Sequence, residues 1–297
     1  MLQDFIGAVS LGLIWAVMAI AIYITYKILD IADMTVEGSI TMGAAISAVC
    51  ISAGMNPYLT LLFAFGGGLL AGLVTGFFHT VLKIPALLSG ILTMLALYSV
   101  NLRIMGKANI SLLKMETVYT PFENMGLSKN FAVIAVMAII VGVIIAALYW
   151  FFGTELGCAI RATGNNRKMA RAQGISTRFM TIVALMLSNG LVGLAGALIA
   201  QNQSFADMSM GIGSIVIALA SLIIGEVLFG KRNFFLRLLS LVFGAIVYRI
   251  IIAFVLWLGM PSNDLRLFTA LTVAAALALP VFKGYFTTIK NSFRKEV

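Results

Sequence analysis

Nine apolar runs divide this 297-residue chain, at 5–26, 40–53, 58–82, 84–104, 131–152, 179–200, 213–229, 235–258 and 267–282, with short polar segments between them. A helix of about 20 apolar residues crosses the ~30 Å hydrocarbon layer of a bilayer. Lipid cannot satisfy loose backbone groups, so a spanning segment has to close its hydrogen bonds as a helix or in a closed barrel. Runs of this length predict helices. The expectation is an all-α polytopic membrane helix bundle of about nine spans. Residues 1–297 then form a single transmembrane domain, because no polar stretch is long enough to fold separately. A composition of 61% hydrophobic and only 10% charged residues agrees.

The formal charge of +9 raises the question of nucleic acid. The basic residues flank the spans, where they set topology and meet anionic lipid, so no nucleic-acid partner is expected. Placing most Lys and Arg inside gives an N-terminus outside and a C-terminus in the cytoplasm. The N-terminal run does not read as a cleavable signal, since Asp4 and no Lys or Arg precedes it. Cys50 and Cys158 read as free thiols. With His79 the lone histidine, no metal site is expected.

Two spans are too short. The run 40–53 gives only about 21 Å of helix at about 1.5 Å per residue, and 213–229 is also brief. Both follow polar approaches that look alike: Ala32-Asp33-Met34-Thr35 against Ala206-Asp207-Met208-Ser209, then Gly38-Ser39-Ile40 against Gly213-Ser214-Ile215. The two would run in opposite directions, as an inverted repeat requires. Paired interrupted spans point to a transport path. Candidate pathway residues are therefore Thr35, Glu37, Gly38 and Ser39, with Asp207, Ser209 and Ser214 as counterparts. Asp30, Asp33 and Glu37 also fit a hydrated cytoplasmic loop, which is the expectation for Asp30; Glu37 and Ser39 stay open between the two readings. Ser188, Asn189 and Gly190 interrupt another span and read first as an interhelical contact. Asn189 joins the pathway candidates because its amide both donates and accepts. Arg249, deep in its run, calls for an acidic partner or a cavity. Glu226 is expected to pair with Lys231 or Arg232. Gly225 to Arg232 imitates a phosphate-binding loop but lacks the Ser or Thr after its lysine, and a strand before it. ATP is therefore expected on a separate subunit, with no cofactor on this chain.

Residues 153–178 form a polar island carrying Arg161, Arg167, Lys168, Arg171 and Arg178. It reads as an amphipathic helix, a turn at Gly164-Asn165-Asn166 and a second short helix ending at Gly174. Glu155-Leu156-Gly157, Arg161-Ala162-Thr163-Gly164-Asn165-Asn166 and Ala170-Arg171-Ala172-Gln173-Gly174-Ile175 resemble the coupling loop of a binding-protein-dependent ABC importer permease. The class is the one serving branched-chain amino acids and ribose, nearest the subgroup often assigned to amino acids, aromatic ones included. Ala32 to Ser39 and Leu222 to Gly230 share the resemblance. It implies a bacterial inner-membrane permease, working as a homodimer with ABC ATPase subunits inside and an extracytoplasmic solute-binding protein outside. Glu155, Gly157, Arg161, Asn165, Arg171 and Gly174 would then couple to the ATPase, and an amino acid is the expected solute. An ion-coupled secondary transporter is the alternative. The external segment 107–130 suits either a docking site for the binding protein or a cap over helix ends.

Overall fold

A computed structural model describes residues 2–230, 233–258, 267–272 and 274. The chain begins with α1 (Leu2–Ile22), which runs into a π-helical turn, Tyr23–Ile28. Next come α2 (Val36–Ser52), α3 (Pro57–Thr80), α4 (Ala86–Met105), β1 (Asn109–Ser111), α5 (Thr120–Asn124) and α6 (Lys129–Phe151). The basic island folds as α7 (Glu155–Asn165) and α8 (Arg167–Ala172), followed by α9 (Thr177–Gln203), β2 (Phe205–Asp207), α10 (Ser214–Phe229) and α11 (Phe234–Trp257). Among the described residues six helices are long and apolar enough to cross a membrane, while α2 and α10 are shorter apolar helices. The ninth expected span, 267–282, falls largely outside the described residues.

Helices α1 and α9 form the centre: Ile14 to Ile24 are all buried, as is most of α9. Leu62, Phe63, Leu70, Val143 and Trp150 stay exposed on the flanking helices, as a lipid-facing surface requires. Small residues set the closest approaches. A Cβ on Gly43 of α2 would collide with the carbonyl of Gly193 on α9, so these backbones touch as only glycine permits.

The α2 helix starts four residues before the apolar run does, so Glu37, Gly38 and Ser39 belong to its first turn rather than to a non-helical approach. It runs parallel to α9, with Ser39 beside Asn189 and Ser47 beside Gln201. Since Asn189 lies halfway along α9, α2 begins at mid-depth. The preceding chain reaches that depth by doubling back. Ala21 of α1 is level with Ser188, which donates to its carbonyl at 2.8 Å. The π-helical turn continues to Ile28, Asp30 turns with φ 56°, and residues 31–35 climb back to the centre.

Candidate functional site

Asp33, at the head of α2, is fully enclosed. Its Oδ1 accepts from the Thr35 backbone N–H at 2.9 Å and its Oδ2 from Asn189 Nδ2 at 2.7 Å. Ser39 donates to Asn189 Oδ1 at 2.6 Å, and the Thr35 and Thr75 hydroxyls lie 2.7 Å apart. This network ties the returning segment to α2, α3 and α9. A buried carboxylate is tolerated at such a place because donors meet both its oxygens.

The second interrupted segment repeats one local device. Asp207 Oδ1 accepts from the Ser209 backbone N–H at 2.8 Å, the same two-residue side-chain turn that Asp33 makes with Thr35. The Ser209 hydroxyl and N–H hold the Asp207 carboxyl below the usual range. The likeness stops there: α2 starts three residues after Asp33, whereas 208–213 turns inward before α10 starts at Ser214. The two broken ends then meet. Glu37 Oε1 accepts from the Gly213 N–H at 2.9 Å, so a carboxylate on the first turn of α2 caps the N-terminus of α10.

Beside that contact lies a cavity of about 340 Å³ lined by Glu37, Gly38, Thr41, Met94, Leu95, Tyr98, Asn101, Met208, Ser209 and Ile212. Asn101 is buried, spends its Nδ2 on the Gly38 carbonyl at 3.1 Å, and leaves Oδ1 without a partner. Thr41 and Ser209 direct their hydroxyl protons to the Glu37 carbonyl and to Asp207. Among the described residues no Lys, Arg or His lines the space.

The sequence-derived pathway residues divide. Glu37, Gly38 and Ser209 line the cavity. Thr35, Ser39 and Asn189 are sealed in the Asp33 network, Ser214 is buried behind the cap, and Asp207 sits in β2 opposite Asn109 of β1. Asp33, grouped with the loop acids from sequence, is the hub of the network. Thr75, Asn101 and Gln201 were missed: Thr75 and Asn101 lie within apolar runs, and Gln201 opens the polar stretch that follows one. Glu226 pairs with Lys27 at 3.5 Å, bringing α10 to the π-helical turn; Lys231 and Arg232 lie outside the described residues. Among the described residues Arg249 meets the face of Trp15 at 4.6 Å rather than an acid. In the segment 107–130, Tyr119 is buried under α5 and bonds the Leu198 carbonyl at 3.2 Å, so this stretch does cap helix ends.

The basic island is a braced pair of helices. Thr154 caps α7, accepting from the Gly157 N–H at 3.4 Å. The turn is narrower than expected: α7 runs through Gly164 and Asn165, and Asn166 alone breaks it. Asn166 Oδ1 then caps α8, accepting from the N–H groups of Lys168 and Met169 at 3.1 Å each. Arg161 donates to the Phe152 carbonyl and stacks on Phe152 and Phe234, 5.7 and 5.0 Å from the ring centres. Arg171 Nε donates to Thr177 Oγ at 2.9 Å. Both arginines hold the knob to the bundle. Gly157 lies against the Phe152 backbone, and Gly174 ends α8 with φ 79°. Glu155, Leu156, Asn165 and Met169 remain exposed on the knob. Gly164 presses on the backbone of Ile28 and Leu29, where a side chain would collide with the Ile28 carbonyl. The knob thus touches the point from which the chain turns back toward Asp33.

Over residues 5–276 the sequence matches the family described as branched-chain amino acid transport system, permease component. The chain belongs to that family. A tyrosine transport system permease protein of Clostridioides difficile (strain R20291) is 42% identical, over 93% of this chain and 91% of its own length. The galactofuranose transporter permease protein YtfT of Escherichia coli (strain K12) is 27% identical, over 82% of this chain and 70% of its own. A solved inward-facing metal-chelate type ABC transporter matches 95% of this chain and 85% of that one with a TM-score of 0.50. At 17% identity that likeness supports the fold alone. The protein is a multi-pass ABC transporter permease, and ATP hydrolysis belongs to separate ATPase subunits. This permease family displaces the ion-coupled carrier considered from sequence.

Proposed function

We propose that the permease imports an amino acid with an apolar or aromatic side chain, through the cavity where the two interrupted segments meet. The observation that carries this reading is the cavity's polarity. Its polar groups include the Glu37 carboxylate, one oxygen of which holds the Gly213 N–H, and the unpartnered Asn101 Oδ1. Both are acceptors, and among the described residues no cationic side chain faces them. An ammonium group supplies donors and the positive charge that Glu37 favours. Met94, Leu95, Tyr98, Met208 and Ile212 provide an apolar wall for the side chain. A volume of about 340 Å³ falls within the range of small-molecule sites. The similarity to a tyrosine permease supports the same class.

In this reading two permease copies form the path, a solute-binding protein delivers the solute outside, and α7–α8 meets the ATPase on the cytoplasmic side of the bacterial inner membrane. The N-terminus is outside and the C-terminus inside. ATPase closure pushes the knob, Gly164 moves Ile28, and the segment 29–35 carries the displacement to α2. The Glu37–Gly213 contact at the head of α2 then opens or closes, exposing the cavity to one side at a time.

The test is uptake of labelled tyrosine, leucine and ribose into proteoliposomes holding permease, ATPase and binding protein. Amino-acid uptake that needs ATP and survives a sodium or proton ionophore is expected. Asn101→Leu and Glu37→Gln should each lower it by about tenfold, the size of one lost charge-assisted contact. Uptake of ribose alone, or equal rates in both variants, would overturn the assignment.

A further inference from the structure

A second pocket, of about 410 Å³, lies between the ends of α3 and α9 and the side of α8. Lys83, Arg167, Arg171 and Arg178 line it together with His79 and three threonines, and among the described residues no carboxylate does. Among the described residues no ion pair joins any of these four cations to an acid. His79 Nδ1 donates to the Ile84 carbonyl at 2.9 Å, which fixes the ring at the pocket's edge. Arg171 is fixed in turn by Thr177. Four positive charges therefore converge without an anion, although self-repulsion of this kind is costly unless a ligand offsets it.

The surroundings say which anion fits. Phe77, Val81, Leu82 and Phe179 lie on the same helix ends and are between 46% and 54% exposed. Apolar side chains immediately beside a cationic pocket mark the boundary between hydrocarbon and headgroups. A soluble acidic protein would meet the charges but leave these side chains in water. We propose that this pocket seats the phosphate headgroup of an anionic phospholipid, with its acyl chains lying along Phe77, Val81, Leu82 and Phe179. Arginine suits phosphate through its paired N–H donors. The bound lipid would bridge α8, and hence the knob, to the ends of α3 and α9. This inference stands apart from the solute and from the residues lining its cavity.

Lys83 and Arg178 are the residues to change, because Arg167 and Arg171 belong to α8 and its brace. The purified full-length permease is equilibrated with phosphatidylglycerol, phosphatidylcholine or inorganic phosphate. Retained lipid is counted by native mass spectrometry and Tm is followed in parallel. Phosphatidylglycerol should be retained over phosphatidylcholine and should raise Tm. Lys83→Gln with Arg178→Gln should bind it about 30-fold more weakly, from roughly fivefold per charge at a membrane surface. Lys83→Arg with Arg178→Lys should keep the binding. Equal retention of the two lipids by the wild type, a result that needs no variant to fold, would overturn the proposal. A full Tm response to inorganic phosphate alone would also overturn it. So would a Gln variant that loses the ATPase while binding phosphatidylglycerol like the wild type.

Discussion

Asp33 keeps its place at mid-depth because Thr35 and Asn189 donate to its two oxygens, and Asn189 in turn accepts from Ser39. Replacing Asn189 with Leu removes the donor to Oδ2 and strands the Ser39 hydroxyl. A loss of about 3 kcal/mol is expected, the upper end of the scale for a buried acceptor left unsatisfied. Thermal unfolding in detergent checks it, and a Tm within a degree of wild type would show that the network is slack. This centre was only partly legible in sequence. Asp30, Asp33 and Glu37 share one short polar stretch, and nothing in their order says that the first is exposed, the second enclosed and the third a cap. Thr75 and Asn101 gave a still weaker signal. A lone polar residue in an apolar run looks the same whether it bonds its own helix or a distant one.

Among the elements, α2 and α10 were readable as a pair because lipid penalises a short apolar run and the two approaches share an Asp-Met pair. Their local device is shared too, in the Asp33–Thr35 and Asp207–Ser209 turns. The N-terminal boundary of α2 was misplaced because hydropathy marks where apolar residues begin, whereas Val36 to Ser39 are already helical and polar in part. The α7–α8 pair was legible as two helices from its amphipathic pattern and the turn signal at Gly164-Asn165-Asn166. Its internal braces were not, since Arg161 and Arg171 look like solvated charges in sequence. The side of the membrane this pair faces has a direct check in Cys158, which is exposed on α7. In a Cys50→Ser background an impermeant maleimide should label inverted vesicles and spare intact right-side-out cells. Labelling of the intact cells would reverse the topology.

At the scale of the whole molecule, one chain of contacts joins the knob to the cavity. Gly164 rests on Ile28, residues 29–35 lead from there to Asp33 and α2, and Glu37 on α2 caps α10. Lys27 and Glu226 tie the other end of α10 back to the π-helical turn, so both short helices answer to the same point. The most direct measurement is the ratio of solute imported to ATP hydrolysed by the reconstituted transporter with Gly164→Leu. The leucine would prise the knob from Ile28 while leaving the exposed face of α7–α8 able to hold the ATPase. The account expects hydrolysis to continue and import per ATP to fall at least about tenfold, a coupling loss near 1.4 kcal/mol. An unchanged ratio in an assembled complex would contradict it.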